Sequence, residues 1–201
     1  MRMSKKLTSR DKQAIATKKK ILMTGIRLIN DKGFEHVSVE EIAKSADVSV
    51  GTFYYYYPSK KDLITSMPWK IDAYFEKEVV DKLDAASCVG NIKLFFYHYA
   101  KHTQDNGWAV IKTLFTTESA LNISEDRFLQ MVLLELLQSG QESGEISTEI
   151  PHKQMMRYLL IVARGVALDW AMSQGESDIF GEMEQLIGRV LHSFLAESTY
   201  I

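Results

Sequence analysis

Apolar residues recur at spacings of three and four along nearly the whole chain after residue 11, and nowhere do they alternate for long. That period draws one stripe along a helix and is foreign to a half-buried strand, so an all-α fold follows. A first helix from about Asp11 to Lys32 aligns Ile15, Leu22, Ile26 and Ile29 and keeps Lys18, Lys19 and Lys20 mostly off that stripe. Gly33 follows as its terminating glycine, with Phe34 placed to pack back. Ser38-Val39-Glu40-Glu41 reads as a capping box for a second helix, whose core positions are Val39, Ile42, Ala43 and Ala46. Asp47-Val48-Ser49 is a turn, Val50 to Tyr56 a short third helix, and Ser59 caps a fourth.

Longer helices make up the rest. One is expected from Lys60 to about Leu83, with Pro68 as its candidate break, and Ala85 to Gly90 is a loop. Further spans run over Asn91–His102, Trp108–Ser119, Glu125–Ser143, His152–Ser173 and Ile179–Glu197, about nine helices in all. Gly144-Glu145-Ile146 and Pro151 punctuate the last connection but one. No internal repeat or low-complexity tract occurs.

The run Tyr54-Tyr55-Tyr56-Tyr57 breaks the pattern. At about 100° per residue, four neighbours sweep roughly 300° of a helix, so some rings face solvent and need a partner. Lys60 and Lys61 open the next helix, where cations oppose the helix dipole and a bound anion would relieve the conflict. Hydroxyls, aromatics and lysines so grouped suit nucleic-acid phosphates and base edges; the alternative is a tyrosine-rich packing surface between helices.

Charge supports the first reading. Residues 1–65 hold 13 Lys+Arg and 7 Asp+Glu, a net of +6, and the remainder holds 11 and 19, a net of -8, which together give the overall -2. A basic head on an acidic body directs polyanions to the head. Hydrophobic and charged fractions of 46% and 25% are those of an ordinary globular protein. Glu135, Arg164 and Asp169 interrupt the longest apolar runs, so no membrane span is expected. The basic start leads into no apolar segment and is not a secretory signal. Cys88 stands alone, which excludes an intrachain disulfide and fits a reducing cytoplasm.

A helix, a short capped helix, a tight turn and another short helix make the layout of a helix-turn-helix DNA reader. The stretch SVEEIAKSADVSVGTFYYYYPSKKDL, Ser38 to Leu63, closely resembles the signature of the TetR family of bacterial transcriptional repressors, and the likeness covers about residues 12–65. The length, helix count and Gly144-Glu145-Ile146 break of the remainder fit that family's second domain. The resemblance implies a DNA-binding domain over residues 1–65 and a ligand-binding and dimerisation domain over 66–201. It implies a homodimer of nine or ten helices per chain, a pseudo-palindromic operator, and an unidentified small-molecule effector that releases DNA. No cofactor, metal or membrane is called for. The chain departs from the family pattern at Asp47, where glycine is usual, at Val50, often lysine, at Tyr55, often histidine, and at Tyr57, often phenylalanine. The operator therefore does not carry over from relatives.

The candidate DNA-contacting residues are Ser38, Ser49, Val50, Gly51, Thr52, Tyr54, Tyr55 and Lys60. Ser49 and Thr52 offer hydroxyls, Val50 methyls for a thymine C5-methyl, Tyr54 and Tyr55 rings and phenol donors. Gly51 keeps the helix slim, and Lys60 is placed to meet phosphate beside helix-start N–H groups. Phe53 and Tyr57 are assigned to the small core, and Tyr56 to either side. Lys5, Lys6 and Arg10 form a basic arm that either enters the minor groove or serves as a solubilising tail.

In the body, Trp69, Phe95, His98, Tyr99, Trp108, Phe115, Arg127 and Met131 are the candidate ligand-binding residues, drawn from a larger aromatic set that includes Tyr74, Phe75, Phe96 and Phe128. His102, Glu118 and Asn122 are further polar groups that could converge there. A mostly apolar cavity with few polar anchors suits a hydrophobic or aromatic ligand. His98 and His102 share a helix face, yet no third metal ligand accompanies them. Gly-x-Gly-x-x-Gly, phosphate-loop and nucleophile-elbow motifs are missing from the sequence, which argues against an enzyme.

The span His152–Ser173 is apolar nearly all round, and a helix without a polar face is buried on both sides. A dimer interface is therefore expected from Met155, Leu159, Val162, Val166 and Trp170 with Met183, Ile187, Val190 and Phe194 of the last helix, four helices meeting about a two-fold axis. Gly165 and Gly188 would permit close approach. A repressor released by ligand is the leading function. An activator or broad regulator of the same fold, or a binding module that has lost DNA, are the alternatives. The helix from Lys60 to Leu83 would touch both sites and carry the signal.

Overall fold

The computed structural model describes residues 8–84, 86–116 and 127–196, without the side chains of Pro68 and Trp69. The expectations for Lys5, Lys6, Glu118, Asn122 and the Trp69 side chain lie outside the described residues. The described chain is helical, with one isolated bridge between Ile146 and Leu195. It divides into two compact units that meet at Ser66 and Met67.

In the first unit, α1 (Ser9–Lys32) begins at a Thr8–Asp11 capping box, the Thr8 hydroxyl accepting from Asp11 N–H at 3.2 Å and the Asp11 carboxylate from Thr8 N–H at 3.0 Å. Its apolar stripe is shorter than expected. Ile21, Leu22, Ile26, Leu28 and Ile29 are buried, but Ile15 is 55% exposed, because the other helices of this unit are short and cover only the C-terminal half of α1. Gly33, at φ +86°, ends the helix and its N–H reaches the Ile29 carbonyl at 2.8 Å.

After a 3-10 turn at Phe34–His36 come α2 (Val39–Ser45), α3 (Val50–Tyr56) and α4 (Lys60–Thr65). Ser38, Ser49 and Ser59 each accept the N–H three residues on, at 3.0–3.1 Å. The expected box at Ser38 is only half formed, since the Glu41 carboxylate takes Lys32 Nζ at 2.5 Å instead. Between α2 and α3 the chain reverses through Asp47 at φ +50°, which lets Val48 N–H reach the Ala43 carbonyl at 3.0 Å. Gly25 admits α4: a Cβ there would lie 2.9 Å from Leu63 Cδ1.

The expected helix from Lys60 to Leu83 is not continuous. Helix α4 ends at a Ser66 cap, and α5 (Pro68–Tyr74) starts afresh with Pro68 in its first turn. Proline lacks the N–H a through-running helix needs, but fits a helix start. With this break the described residues form ten helices where nine were expected for the chain. The break also removes the single continuous rod as the carrier of the signal.

The second unit continues from α5 through a π turn (Phe75–Val79) and a 3-10 turn (Val80–Lys82) into α6 (Cys88–Asn106), α7 (Trp108–Thr116), α8 (Phe128–Glu142), α9 (His152–Met172) and α10 (Ile179–His192). Helix α9 packs on α7, α8 and α10, and α6 packs on α8 and α10. Glu145, which in the sequence is only part of a helix break, caps the start of α6: its carboxylate accepts from Cys88 N–H at 2.6 Å and Val89 N–H at 3.0 Å. Burial and the Glu145 charge push the Cys88 thiol up to about 11, so it is an inert packing group.

The interface residues expected on α9 and α10 are mostly core. Met155, Leu159, Val166, Trp170, Met183, Ile187 and Phe194 are buried within this one chain, and Val162 and Val190 are half-buried. The period of an all-apolar helix does not say which stripe faces its own body. A different stripe is left over: Tyr158, Ile161, Leu168 and Met172 on α9, with Leu186 on α10, are exposed.

A left-handed backbone costs a non-glycine residue about 1–2 kcal/mol, less for aspartate, and Asp47 has only a distant Lys20 at 3.7 Å to offset it. Asp47→Gly is expected to stabilise the first unit by about 1 kcal/mol, seen as a higher denaturation midpoint. A lower midpoint would show that the aspartate contributes more than its backbone costs.

Candidate DNA-binding surface and ligand cavity

The tyrosine run divides by helical position, with Tyr57 turned in beside Phe53 four residues before it. Phe53 and Tyr57 are buried, their rings 6.0 Å apart, and Tyr57 donates its phenol to the Lys18 carbonyl at 3.3 Å. Tyr54 and Tyr55 are 49% and 81% exposed, and Tyr56 is half-buried with its ring edge-on to Tyr55. Ser49 and Thr52 share a hydroxyl contact of 2.8 Å, so each reaches outward through what that bond leaves over. Ser38 uses its oxygen as a cap and can still donate its proton. Val50 is half-buried and Gly51 exposed. A Cβ on Gly51 would meet nothing closer than Ser49 Oγ at 3.7 Å, so no packing within this unit requires the glycine.

Lys60 departs from its expected role. Its ammonium donates to the carbonyls of Val37, at 2.7 Å, and Phe34, and lies 4.1 Å from the centre of the Phe34 ring. It ties α4 to the end of the 3-10 turn and does not offer a phosphate contact. Lys61, beside it, is exposed, as are Lys44 at the end of α2 and Lys18 to Lys20 on α1.

In the second unit a cavity of about 80 Å³ lies among α5 to α9. Its apolar wall includes Ile71, Ile111, Leu114, Phe115 and Leu160, and its polar wall Tyr99, His102, Thr103, Asn106, Arg127, Gln130 and Arg164. Asp72 receives Arg127 Nε at 3.1 Å on one oxygen and Leu129 N–H at 3.1 Å on the other. Burial, then the charge of Lys70, pushes His102 down to about 4, so the imidazole is neutral near pH 7; its Nδ1 sits 2.9 Å from the Asn106 amide. Burial lowers the Arg164 guanidinium and raises the Tyr99 phenol, and the two are hydrogen-bonded. Gln130, only 1% exposed, has no partner for either amide atom. No cluster of metal-ligating side chains occurs among the described residues.

Residues 21–67 match the family described as bacterial regulatory proteins, tetR family. That stretch carries the signature of a TetR-family DNA-binding domain. Its relatives include the transposon Tn10 TetC protein of Escherichia coli, 27% identical over 72% of this chain and 71% of that protein. The fatty acid metabolism regulator protein of Bacillus subtilis is 23% identical over 79% and 86%. Among solved structures, Thermus thermophilus FadR, a TetR-family transcriptional repressor in complex with lauroyl-CoA, shares the fold with a TM-score of 0.68 and 23% identity over 90% of this chain and 96% of that one.

Of the expected ligand residues, Tyr99, Phe115 and Arg127 line the cavity, as does His102. Phe95 is core, its ring 4.6 Å from that of Phe75, and His98 is held by the Tyr74 phenol at 2.7 Å. Met131 faces outward, and Trp108 lies against Gly175 instead of the cavity. Thr103, Asn106, Gln130 and Arg164 were not anticipated. Gln130 within FLQMVLL and Arg164 within LLIVARGVA are polar interruptions of apolar runs, and that is the signal that could have found them.

Gly51→Ala is expected to leave the first unit folded, with stability raised by less than about 1 kcal/mol, since alanine is the better helix former. DNA affinity should fall by about tenfold or more, or about 1.4 kcal/mol, if the helix needs a bare backbone at that point. Equal affinity of variant and parent in an anisotropy titration would put Gly51 outside the DNA contact.

Proposed function

We propose that this regulator is a homodimeric repressor in the cytoplasm that holds a pseudo-palindromic operator through α3 and leaves it when a small molecule fills the cavity of the second unit. The observation that carries the DNA contact is the exposed edge of α3, where Gly51, Tyr54 and Tyr55 stand out from a helix anchored by Phe53 and Tyr57. Ser49, Val50, Gly51, Thr52, Tyr54 and Tyr55 at one helix can read a half-site in the major groove, and the exposed lysines of the same unit supply the salt-dependent phosphate term. Arg10, exposed in the first turns of α1, adds to that charge. The lauroyl-CoA complex of the Thermus relative supports a ligand role for the second unit.

The dimer face we assign is the stripe left exposed on α9. Tyr158, Ile161, Gly165, Leu168 and Met172 follow one another at alternating steps of three and four, the spacing of a helix–helix seam. Gly165 on this stripe and Gly188 on α10 have open space where a Cβ would stand. With Leu186 and Val190 of α10 the stripe forms a self-complementary patch. The effector and the operator then oppose each other: each weakens the other by the same factor, about 5–150-fold for a coupling of ~1–3 kcal/mol.

Selection from a random double-stranded DNA pool, followed by anisotropy at two salt concentrations, should yield a pseudo-palindrome whose binding weakens with salt. Sedimentation should show a dimer for the parent and a folded monomer for Ile161→Asp, with binding to the selected site reduced by about tenfold or more. A folded dimer that enriches no sequence, or an Ile161→Asp protein that remains a dimer with full affinity, would overturn the reading.

A further inference from the structure

We propose that the cavity is built for a compact organic monocarboxylate, whose carboxylate pairs with Arg164 and whose second polar group, a hydroxyl or amide, is read by Gln130. This rests on the reading of the cavity as the effector site and names the chemistry it selects.

The charge is the first argument. Two guanidinium groups, Arg127 and Arg164, line the cavity. Asp72 neutralises Arg127 through one oxygen and accepts Leu129 N–H with the other. Arg164 takes part in no ion pair among the described residues, and its recorded neighbours are a neutral phenol and a second cation. His102 stays neutral and cannot substitute for an anion. Among the described residues no carboxylate is paired with Arg164, and a planar carboxylate meets a guanidinium with two parallel bonds.

Gln130 is the second, independent argument. An amide buried to this depth with neither its N–H groups nor its oxygen bonded is destabilising, and a leucine would fit the apolar run around it at lower cost. A ligand that accepts from Nε2 and donates to Oε1 satisfies both atoms at once. Volume is the third. A cavity of about 80 Å³ is roughly half the ~150 Å³ that takes a benzene ring, so it suits a small acid over a long chain and has to widen to take an aromatic one. Phe115, Leu114 and Ile111 then receive the apolar body of the acid.

The test uses the full-length protein with 4-hydroxybenzoate and mandelate, their methyl esters, and lauroyl-CoA, by calorimetry and thermal shift. At least one acid should bind in the micromolar range, at least tenfold more tightly than its ester. Arg164→Gln should reduce that acid-to-ester preference to near one. Gln130→Leu should raise the melting temperature of the free protein and weaken acid binding tenfold or more, opposite signs that a purely structural residue would not give. Esters binding as well as acids, no acid binding below millimolar, or a Gln130→Leu protein that melts lower each overturns the proposal. An acid that binds with these signatures but leaves the operator complex intact would sustain the cavity chemistry and defeat the effector reading. Release of DNA by the uncharged esters alone would do the reverse.

Discussion

The second unit depends on one carboxylate. Asp72, in α5, is nearly buried and holds both the guanidinium and the first turn at the start of α8, through Arg127 and Leu129 N–H. Removing one member of such a pair leaves an uncompensated buried charge, typically a loss of 3–5 kcal/mol. The same pair sets the electrostatics of the cavity, because Asp72 pairs with Arg127 and is not among the groups that act on Arg164. Helix packing and cavity charge therefore issue from a single choice of partner. Had Asp72 faced Arg164, the cavity would be neutral at that wall and suited to an uncharged guest.

The elements that were legible in the sequence are those with local causes. Serine and threonine caps at Ser38, Ser49 and Ser59 mark their helix starts to the residue, because each hydroxyl satisfies an N–H three positions away. The burial of Phe53 and Tyr57 follows from helical spacing in the same local way. What the pattern could not resolve depends on distant partners. Lys60 sits where a phosphate ligand belongs, yet two carbonyls some 23 and 26 residues earlier take its ammonium. Glu145 looks like loop punctuation and caps a helix 56 and 57 residues away.

Helix α9 shows the same limit on a larger scale. A helix that is apolar all round announces burial on two sides but not which side belongs to which neighbour. Its own body takes Met155, Leu159, Val166 and Trp170, and only burial in the folded chain reveals Ile161 and Leu168 as the remainder. The one charged residue on this helix that turns to the cavity, Arg164, also hides in sequence because it resembles a mere interruption of an apolar run.

Glycines separate what the chain does for itself from what it offers to others. At Gly25 and Gly140 an added Cβ would fall within 3 Å of neighbouring side chains, Leu63 in the first case and Cys88 and Ile146 in the second, so packing within the unit accounts for them. Gly51, Gly165 and Gly188 sit inside helices, where glycine is destabilising by roughly 0.5–1 kcal/mol against alanine, and nothing crowds their missing Cβ. No contact among the described residues offsets that cost, whereas a surface lying close against the bare backbone would. One of the three lies on the helix with the exposed tyrosines, and the other two lie on the pair of helices that carry the unpartnered apolar stripe. The two surfaces that DNA and a second copy would need are thus marked by the same physical device.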